Sequence, residues 1–543
     1  MEGNQELELW TSLKEKSRVI ETEMDSLVRK RTGSYYTDLE LTDIMMDELV
    51  QDMKWNKKRL IDYRFFEPCV GTGNFVFSYI KAVKETGIDE ADAEVLLNNI
   101  YISDINEEAI NGYKDSLKKI ASLYWNINLT DDYFEKHTGT GLLVDVTSDS
   151  LEYISLESIF PEQVAKGGFD IVVTNPPYKN LKAEKNQYSS EEDYEKDKKK
   201  YSAISQIVLT RFLYSVSGVL NLYKLFVEEI IDRYANENAY ISLLIPSSIM
   251  SDKTCMKLRT HMLKDAKMHS VKVISEGSQF IDAQQALSAI LLQKGKKTEV
   301  IRVTKDYCKN PNNIAKVSIE DIFNENTGNA ILAVSEEEYQ ILRKLRMFPV
   351  IKELYFIANL RGELDLTINK KNIVQVDTGY RLLRGRDIGY YKLLPIESND
   401  FVSPKFVNAT KKRIYVEKDR IICQQIANMN KERRVTFSYV PKNYVLGNSC
   451  NFISVSENKY GIDIYTLLGL LNTKIINWLF KLTSSNNHVN NYEIDCFPIP
   501  VEAKELSDIS VLVRKYLVTG EKKLIDEIER LTEAAYGLLS NTI

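Results

Sequence analysis

The chain reads as an α/β protein whose larger part is built on a mostly parallel central sheet, with a C-terminal domain of mixed α+β character. Three observations predict this. Short β-branched or aromatic runs alternate with helical periodicity over residues 32–300, and the ends of those runs carry glycine or acidic turns. Beyond about residue 350 the pattern changes to short apolar segments separated by Gly, Asn and basic residues.

Residues 1–31 are charged and periodic enough for a helix, ending in Arg29-Lys30-Arg31. Gly33 to Thr37 is turn-like, and Thr37 or Asp38 is a fair N-cap for a helix with Leu41, Ile44, Met45 and Leu49 at helical spacing. A backbone-rich loop at such an N-terminus can bind a carboxylate. In RFFEPCVGTGNF, a strand at Phe65 and Phe66 runs into Gly71-Thr72-Gly73-Asn74 and then a helix from Phe75. Glycines allow close backbone approach to a ligand, although strand–glycine–helix turns are also common for structural reasons alone. NIYISDINEEAI gives a second strand ending in Asp104, where nucleotide-binding α/β folds grip a ribose hydroxyl pair. GLLVDVTS gives a third, ending near Asp145, whose carboxylate could accept from an adenine amine. Any one of these acids could be a cap or a solvated residue. Glu67, Asp104 and Asp145 on three successive strand tips make a ligand cleft the better reading.

GGFDIVVTNPPYKN then places Asn175-Pro176-Pro177-Tyr178 on the loop leaving a buried β-branched strand, where open α/β sheets bind ligands. N-P and P-P are turn punctuation in many proteins. Here two prolines fix φ and hold the carbonyls of Asn175 and Pro176 as rigid acceptors. Such acceptors suit an exocyclic amine, a poor nucleophile because its lone pair is delocalised into the ring. Accepting its two N–H hydrogens on the Asn175 side-chain oxygen and the Pro176 carbonyl would localise that lone pair. Tyr178 offers a flat face for stacking a flipped base. The chemistry needs positioning and preorganised dipoles and no covalent intermediate.

This motif set resembles the S-adenosylmethionine-dependent amino-group DNA adenine methyltransferases whose motifs run from a TGxYYT-like element, through a glycine loop, to NPPY, with target recognition C-terminal. The resemblance covers residues 31–295 well. It implies a Rossmann-like methyltransferase fold, S-adenosylmethionine as cofactor and N6 methylation of a flipped adenine in double-stranded DNA, as the modification arm of a restriction-modification or phage-defence system. Tyr36 and Thr37 are similar to the element that meets the cofactor's methionine part, and Glu67, Gly71 and Gly73 to its methionine-end loop. Asp104 matches the ribose acid and Asp145 the residue facing the cofactor's adenine. Asn175, Pro176, Pro177 and Tyr178 match the catalytic tetrapeptide. Phe280 sits near a second base-contacting aromatic of the family; a core phenylalanine is an equal reading of it. Methylation of a protein glutamine amide also uses an NPPY loop and is the alternative activity.

The polar stretch from Lys179 to about Gln206 reads as a disordered insertion in the free protein, placed to act as a lid that orders on DNA or cofactor binding. The formal net charge is −6, yet Gly379 to Val445 carries 14 Lys and Arg against 6 Asp and Glu. A basic segment in an acidic chain is a plausible phosphate-contacting face, with a solvated lysine-rich region as the plainer reading. Residues 351–505 are loosely similar to the family's specificity domains, and Arg384, Arg386, Arg433 and Arg434 are the side chains assigned to phosphates or guanine edges. The expected divisions are an N-terminal helix (1–31), the methyltransferase domain (32–300), a connector (301–350), a DNA target-recognition domain (351–505) and a helical segment (506–543).

Six dispersed cysteines with no C-x-x-C pair, and four dispersed histidines, give no disulfide framework and no metal site. The N-terminus lacks a signal pattern and no apolar run reaches membrane-spanning length, so a cytoplasmic protein is expected. No nuclease constellation is evident, so a restriction endonuclease would be a separate chain. The sequence leaves monomer or dimer open.

Overall fold

The computed structural model describes residues 2–23, 37–54, 58–144, 153–185, 188, 190–278, 285–323, 327–428, 431–484 and 487–538. The chain forms two compact units, residues 1–336 and 337–543.

The first unit is organised by strands β1 (Phe65–Glu67), β2 (Ile100–Ser103), β3 (Thr138–Gly139), β4 (Leu143–Val144), β5 (Tyr153–Ile154), β6 (Phe169–Thr174), β7 (Ala235–Pro246), β8 (Ala266–Ile274), β9 (Leu287–Lys294), β10 (Val300–Thr304) and β11 (Ile314–Ser318). Nine of them make one sheet in the order β11-β10-β8-β9-β7-β6-β1-β2-β3. From β3 through β7 neighbours run parallel, β9 runs antiparallel to both β7 and β8, and β10 is parallel to β8. The order reverses at β1 and β6, so their carboxyl ends frame a crevice.

Parallel strands need cover on both faces, and β1 shows how it is supplied. Phe65 stacks on Tyr79 of the helix Asn74–Lys84 at 4.6 Å between ring centroids. Phe66 points the other way and stacks on Phe169 at 4.4 Å, with Phe160 and Tyr234 edge-on. The helix Leu39–Met53, capped by the Asp38 side chain, packs beside Asn74–Lys84 through Leu41, Met45, Met46 and Leu49, all buried. The N-terminal helix Glu2–Glu23 docks on the helix Glu107–Trp125, with Trp10 Nε1 donating to Tyr124 Oη at 2.9 Å.

Three expectations are corrected. Leu143–Val144, read as the third strand, lies outside the main sheet and pairs with β5 in a ribbon; the sheet position belongs to β3. Leu143 takes a left-handed φ of 64°, which turns the chain off the sheet. The insertion after the tetrapeptide, read as disordered, contains the helix Glu191–Arg211. Ser190 caps it, acids fill its first turn, and Tyr201, Ile204 and Val208 are buried at helical spacing, a stripe hidden within a charged composition. The helix Leu222–Glu229 follows it, with every residue buried. Residues 301–318, within the stretch 301–350 read as connector, hold β11 and all of β10 but its first residue, both of which join the sheet.

The second unit has an antiparallel sheet in the order β12-β19-β16-β17 and a mixed sheet in the order β13-β15-β14-β18. These strands are β12 (Ile357–Arg361), β13 (Ile373–Val374), β14 (Arg381–Leu383), β15 (Phe401–Val402), β16 (Arg420–Gln424), β17 (Phe437–Val440), β18 (Tyr444–Leu446) and β19 (Cys450–Val455). The closing helices Leu506–Thr519 and Lys523–Ala535 belong to its core. They pack on the helix Ile464–Leu471, where a Cβ on Gly469 would come within 2.6 Å of Ile509. Among the described residues no helix is long and apolar enough to cross a membrane.

Candidate active site

Asn175 to Tyr178 follow β6 directly, at the crevice beside β1. The Asn175 carboxamide is held at both ends. Its Nδ2 donates to Thr37 Oγ1 at 2.9 Å, and its Oδ1 faces the Tyr178 hydroxyl. That hydroxyl also lies 2.9 Å from the Leu244 carbonyl on β7, so its single proton serves one acceptor at a time. Thr37 is the keystone of the arrangement, because its carbonyl accepts from Asn74 Nδ2 at 2.7 Å. The residue before the helix Leu39–Met53 therefore ties the tetrapeptide to the start of the helix after the glycine loop. Pro176 is buried, while Asn175, Pro177 and Tyr178 are half-buried. Tyr223 meets Tyr178 edge-on at 6.3 Å.

The glycine loop is shaped by its own backbone. Val70 N–H reaches the Ser103 carbonyl at 3.0 Å, and Gly73 N–H the Val70 carbonyl at 2.8 Å. Gly73 adopts φ 90°, and a Cβ there would lie 2.6 Å from Tyr113 and 2.7 Å from Phe77, so only glycine fits. Asp104 Oδ2 accepts from Gly71 N–H at 2.8 Å, and its Oδ1 from Asn106 N–H at 2.9 Å. Glu67 lies at the end of β1 and accepts the backbone N–H of Val76 in the first turn of the helix. Burial pushes the Glu67 carboxyl well above its usual range, and Asp104 adds to the push. Burial also raises Asp104, against the pull of the Gly71 and Asn106 amides. Among the described residues Glu67 Oε2 is buried without a hydrogen-bond partner. Such an oxygen fits a ligand that brings a cationic N–H group.

The structure thus brings together Thr37, Glu67, Gly71, Gly73, Asp104 and Asn175 to Tyr178. Tyr36, Asp145 and Phe280 lie outside the described residues. The Leu244 carbonyl and Tyr223 were missed by sequence: a backbone acceptor leaves no trace in composition, and Tyr223 stands in a run legible only as helix.

The four assigned arginines are placed unequally. Arg434 is a correction: it is 2% exposed, donates to the Ser484 carbonyl at 3.1 Å and lies over the Phe480 ring, which makes it a packing residue. Arg433 reaches the Asn472 carbonyl at 2.6 Å and lies over Tyr390. Arg384 pairs with Asp400 at 2.6 Å. Arg386 is exposed. Among the described residues no group of His, Cys, Asp and Glu could hold a metal ion.

Residues 98–280 match the Eco57I restriction-modification methylase family, and residues 380–499 match the TaqI-like C-terminal specificity domain. No curated protein matches the chain. Among solved structures, the type IIL restriction-modification enzyme MmeI, determined in complex with DNA, is similar with TM-score 0.50 and 12% identity over 96% of this chain and 78% of that one. The type IIG restriction endonuclease BpuSI gives TM-score 0.43 and 12% identity over 92% of this chain, which spans 65% of BpuSI. A modification subunit of a putative type I restriction enzyme from Vibrio vulnificus YJ016 gives 0.33 and 16% over 52% of this chain and 50% of that one. At such identities the likeness is one of fold. The large, mostly parallel sheet with its helices is the part of the molecule that this likeness concerns. More particularly, the chain carries a segment similar to the Eco57I restriction-modification methylase family and, C-terminal to it, one similar to the TaqI-like specificity domain.

Proposed function

We propose that the protein transfers a methyl group from S-adenosylmethionine to the N6 amine of a flipped adenine in double-stranded DNA, as the modification arm of a restriction-modification or phage-defence system. The observation that carries this reading is the Asn175 carboxamide, locked between Thr37 and Tyr178 at the carboxyl end of β6. With Nδ2 donating to Thr37, Oδ1 is the carboxamide's acceptor, and it faces the Tyr178 hydroxyl. The amine donates one hydrogen there and the other to the Pro176 carbonyl, which localises its lone pair. Tyr178 gives the base an aromatic face, backed edge-on by the buried Tyr223.

S-adenosylmethionine supplies an electrophilic methyl group on a sulfonium, and the residues present fit it. Glu67, with its unpartnered buried oxygen, takes the ammonium of the amino-acid tail; Asp104 takes the ribose hydroxyls; Gly71 and Gly73 leave room for the chain between them. Tyr36 and Asp145 are assigned to the methionine and adenine ends by the motif resemblance alone. With the cofactor bound, the lone pair of the amine held by Asn175 and Pro176 would take its methyl, and the amine's surplus proton would leave to solvent. Asn175 acts as a positioned dipole and not as a base.

The domain division proposed is a methyltransferase domain over 32–300, carried by strands that continue to Ser318, and a target-recognition domain over 351–505 supported by the helices beyond it.

Single-molecule modified-base sequencing of genomic DNA from a methylation-deficient bacterium expressing this chain tests the reading. N6-methyladenine at one defined motif is expected. Unmodified DNA from cells holding soluble protein that binds S-adenosylmethionine would overturn it and direct attention to a protein glutamine amide.

A further inference from the structure

In the C-terminal unit, β12 and β16 flank β19, and their ends converge on the loop that opens β19. The Asn448 carbonyl accepts from Arg361 Nε at 2.8 Å, and the Ser449 carbonyl accepts the Gln425 N–H at 3.0 Å. Ser449 Oγ accepts the Gly385 N–H at 3.0 Å. A Cβ on Gly385 would lie 2.8 Å from the Ser449 carbonyl oxygen, so the turn bearing Arg386 is pressed against the same loop. Across this loop Arg361 Nη2 donates to Gln425 Oε1 at 2.9 Å. Lys412 Nζ, 2.6 Å from the Arg361 carbonyl, anchors the backbone beneath. Ile426, the next residue after Gln425, is 64% exposed and bridges to His488.

We infer that the Arg361–Gln425 pair reads a guanine edge in the target duplex, with Arg386 beside it on a phosphate; the inference rests on the DNA-methylation reading above. The two bonds use Arg361 Nε, one N–H of Nη2 and one lone pair of Gln425 Oε1. The donors they leave are both N–H groups of Arg361 Nη1, the second of Nη2 and those of Gln425 Nε2, from two side chains held against each other. A surface on which donors predominate matches the adjacent O6 and N7 acceptors of guanine. Adenine places an N6 donor beside its N7, and cytosine presents an N4 donor, so each would set N–H against N–H. A phosphate contact needs charge and no fixed plane, as at Arg386, whose side chain is 66% exposed. Arg361 differs because its plane is fixed by two partners, which costs side-chain freedom and is useful where orientation carries information. Ile426 adds an apolar contact for a neighbouring base edge.

The test separates this inference from methyl transfer by reading binding. Wild type, R361A, R361K, Q425E and R386A, each with S-adenosylhomocysteine, select from a pool of random-sequence duplex DNA, and the bound fraction is sequenced. Wild type is expected to enrich one motif. R361A and R361K should lose discrimination at the same G·C position, on the order of tenfold or more, with the other positions kept. Q425E should shift preference at that position away from guanine. R386A should weaken binding evenly across sequences. An unchanged motif in R361A, rescue by R361K, or even weakening of all sequences in R361A would overturn the inference, the last two showing that only charge matters. A wild-type pool with a clear motif, together with unmodified genomic DNA, would defeat the methylation reading and leave the base-reading surface standing.

Discussion

Two sites of buried carboxylates, one in each unit, solve the problem in opposite ways. In the C-terminal unit Glu363 is fully buried against the equally buried guanidinium of Arg420, whose Nη2 also reaches the Tyr444 carbonyl. Burial still raises Glu363, but Arg420 pulls against it. In the first unit Glu67 and Asp104 lie close enough for Asp104 to raise Glu67 further, and the contacts that pull Glu67 back come from the backbone alone. A scaffold closes its charges; a ligand site leaves one open for what it binds. The cost is carried by the fold until the ligand arrives.

The comparison breaks most visibly at Arg420. R420M leaves Glu363 buried without its cation and should destabilise the protein by about 3–5 kcal/mol, whereas joint replacement of both by apolar residues should come near neutral. Chemical denaturation of the two variants checks this, and equal losses would remove the pair from the account. N175A removes the positioned acceptor and should lower methyl transfer on the order of a hundred- to a thousandfold with DNA binding retained. Near-normal transfer of labelled methyl to DNA by that variant would sink the assigned role.

E67Q should act with opposite sign on stability and on binding. The folded-state pKa of Glu67 lies above its unfolded value, so between the two the native state holds a proton that the unfolded chain lacks. Stability therefore falls as pH rises through that window, and E67Q should reduce this slope, leaving the part that comes from Asp104, and stabilise the ligand-free protein at neutral pH. The same change should weaken S-adenosylhomocysteine about tenfold or more, through loss of a charge-assisted hydrogen bond. Denaturation across pH together with calorimetric titration reads both; a variant less stable at neutral pH would show the carboxylate to be structural. The smallest effects distinguish two arginines of the second unit. R386A should leave stability within about 0.5 kcal/mol and reduce the salt slope of DNA binding by about one. R434A should destabilise the unit and leave that slope unchanged.

Local signals in the sequence foretold the strand ends bearing Glu67, Asp104 and Asn175, because a buried strand closing on a polar turn is written in adjacent residues. The fold's class followed from their alternation with helices. Long-range partners were not legible. Nothing in YYT announces that Thr37 fastens Asn175 to Asn74, since the three residues are brought together only by the sheet. Composition misled at the insertion, where three apolar residues among many charges suffice to dock a helix. It misled again at Arg434, because charge alone does not tell a DNA-facing arginine from one that ties a helix end to a neighbouring loop.

The insertion leaves and returns at one point, the bridge between Asn180 and Asn221, where Leu222 N–H also meets the Lys179 carbonyl at 2.9 Å. With its ends clasped there, the length of what hangs between them costs little, about 0.6 kcal/mol for each doubling. The far side of the excursion is tied in, since the buried Glu228 accepts from the N–H groups of Leu213, Tyr214 and Ser215. A change of length ahead of the helix Glu191–Arg211 should therefore leave the tetrapeptide one step upstream in shape.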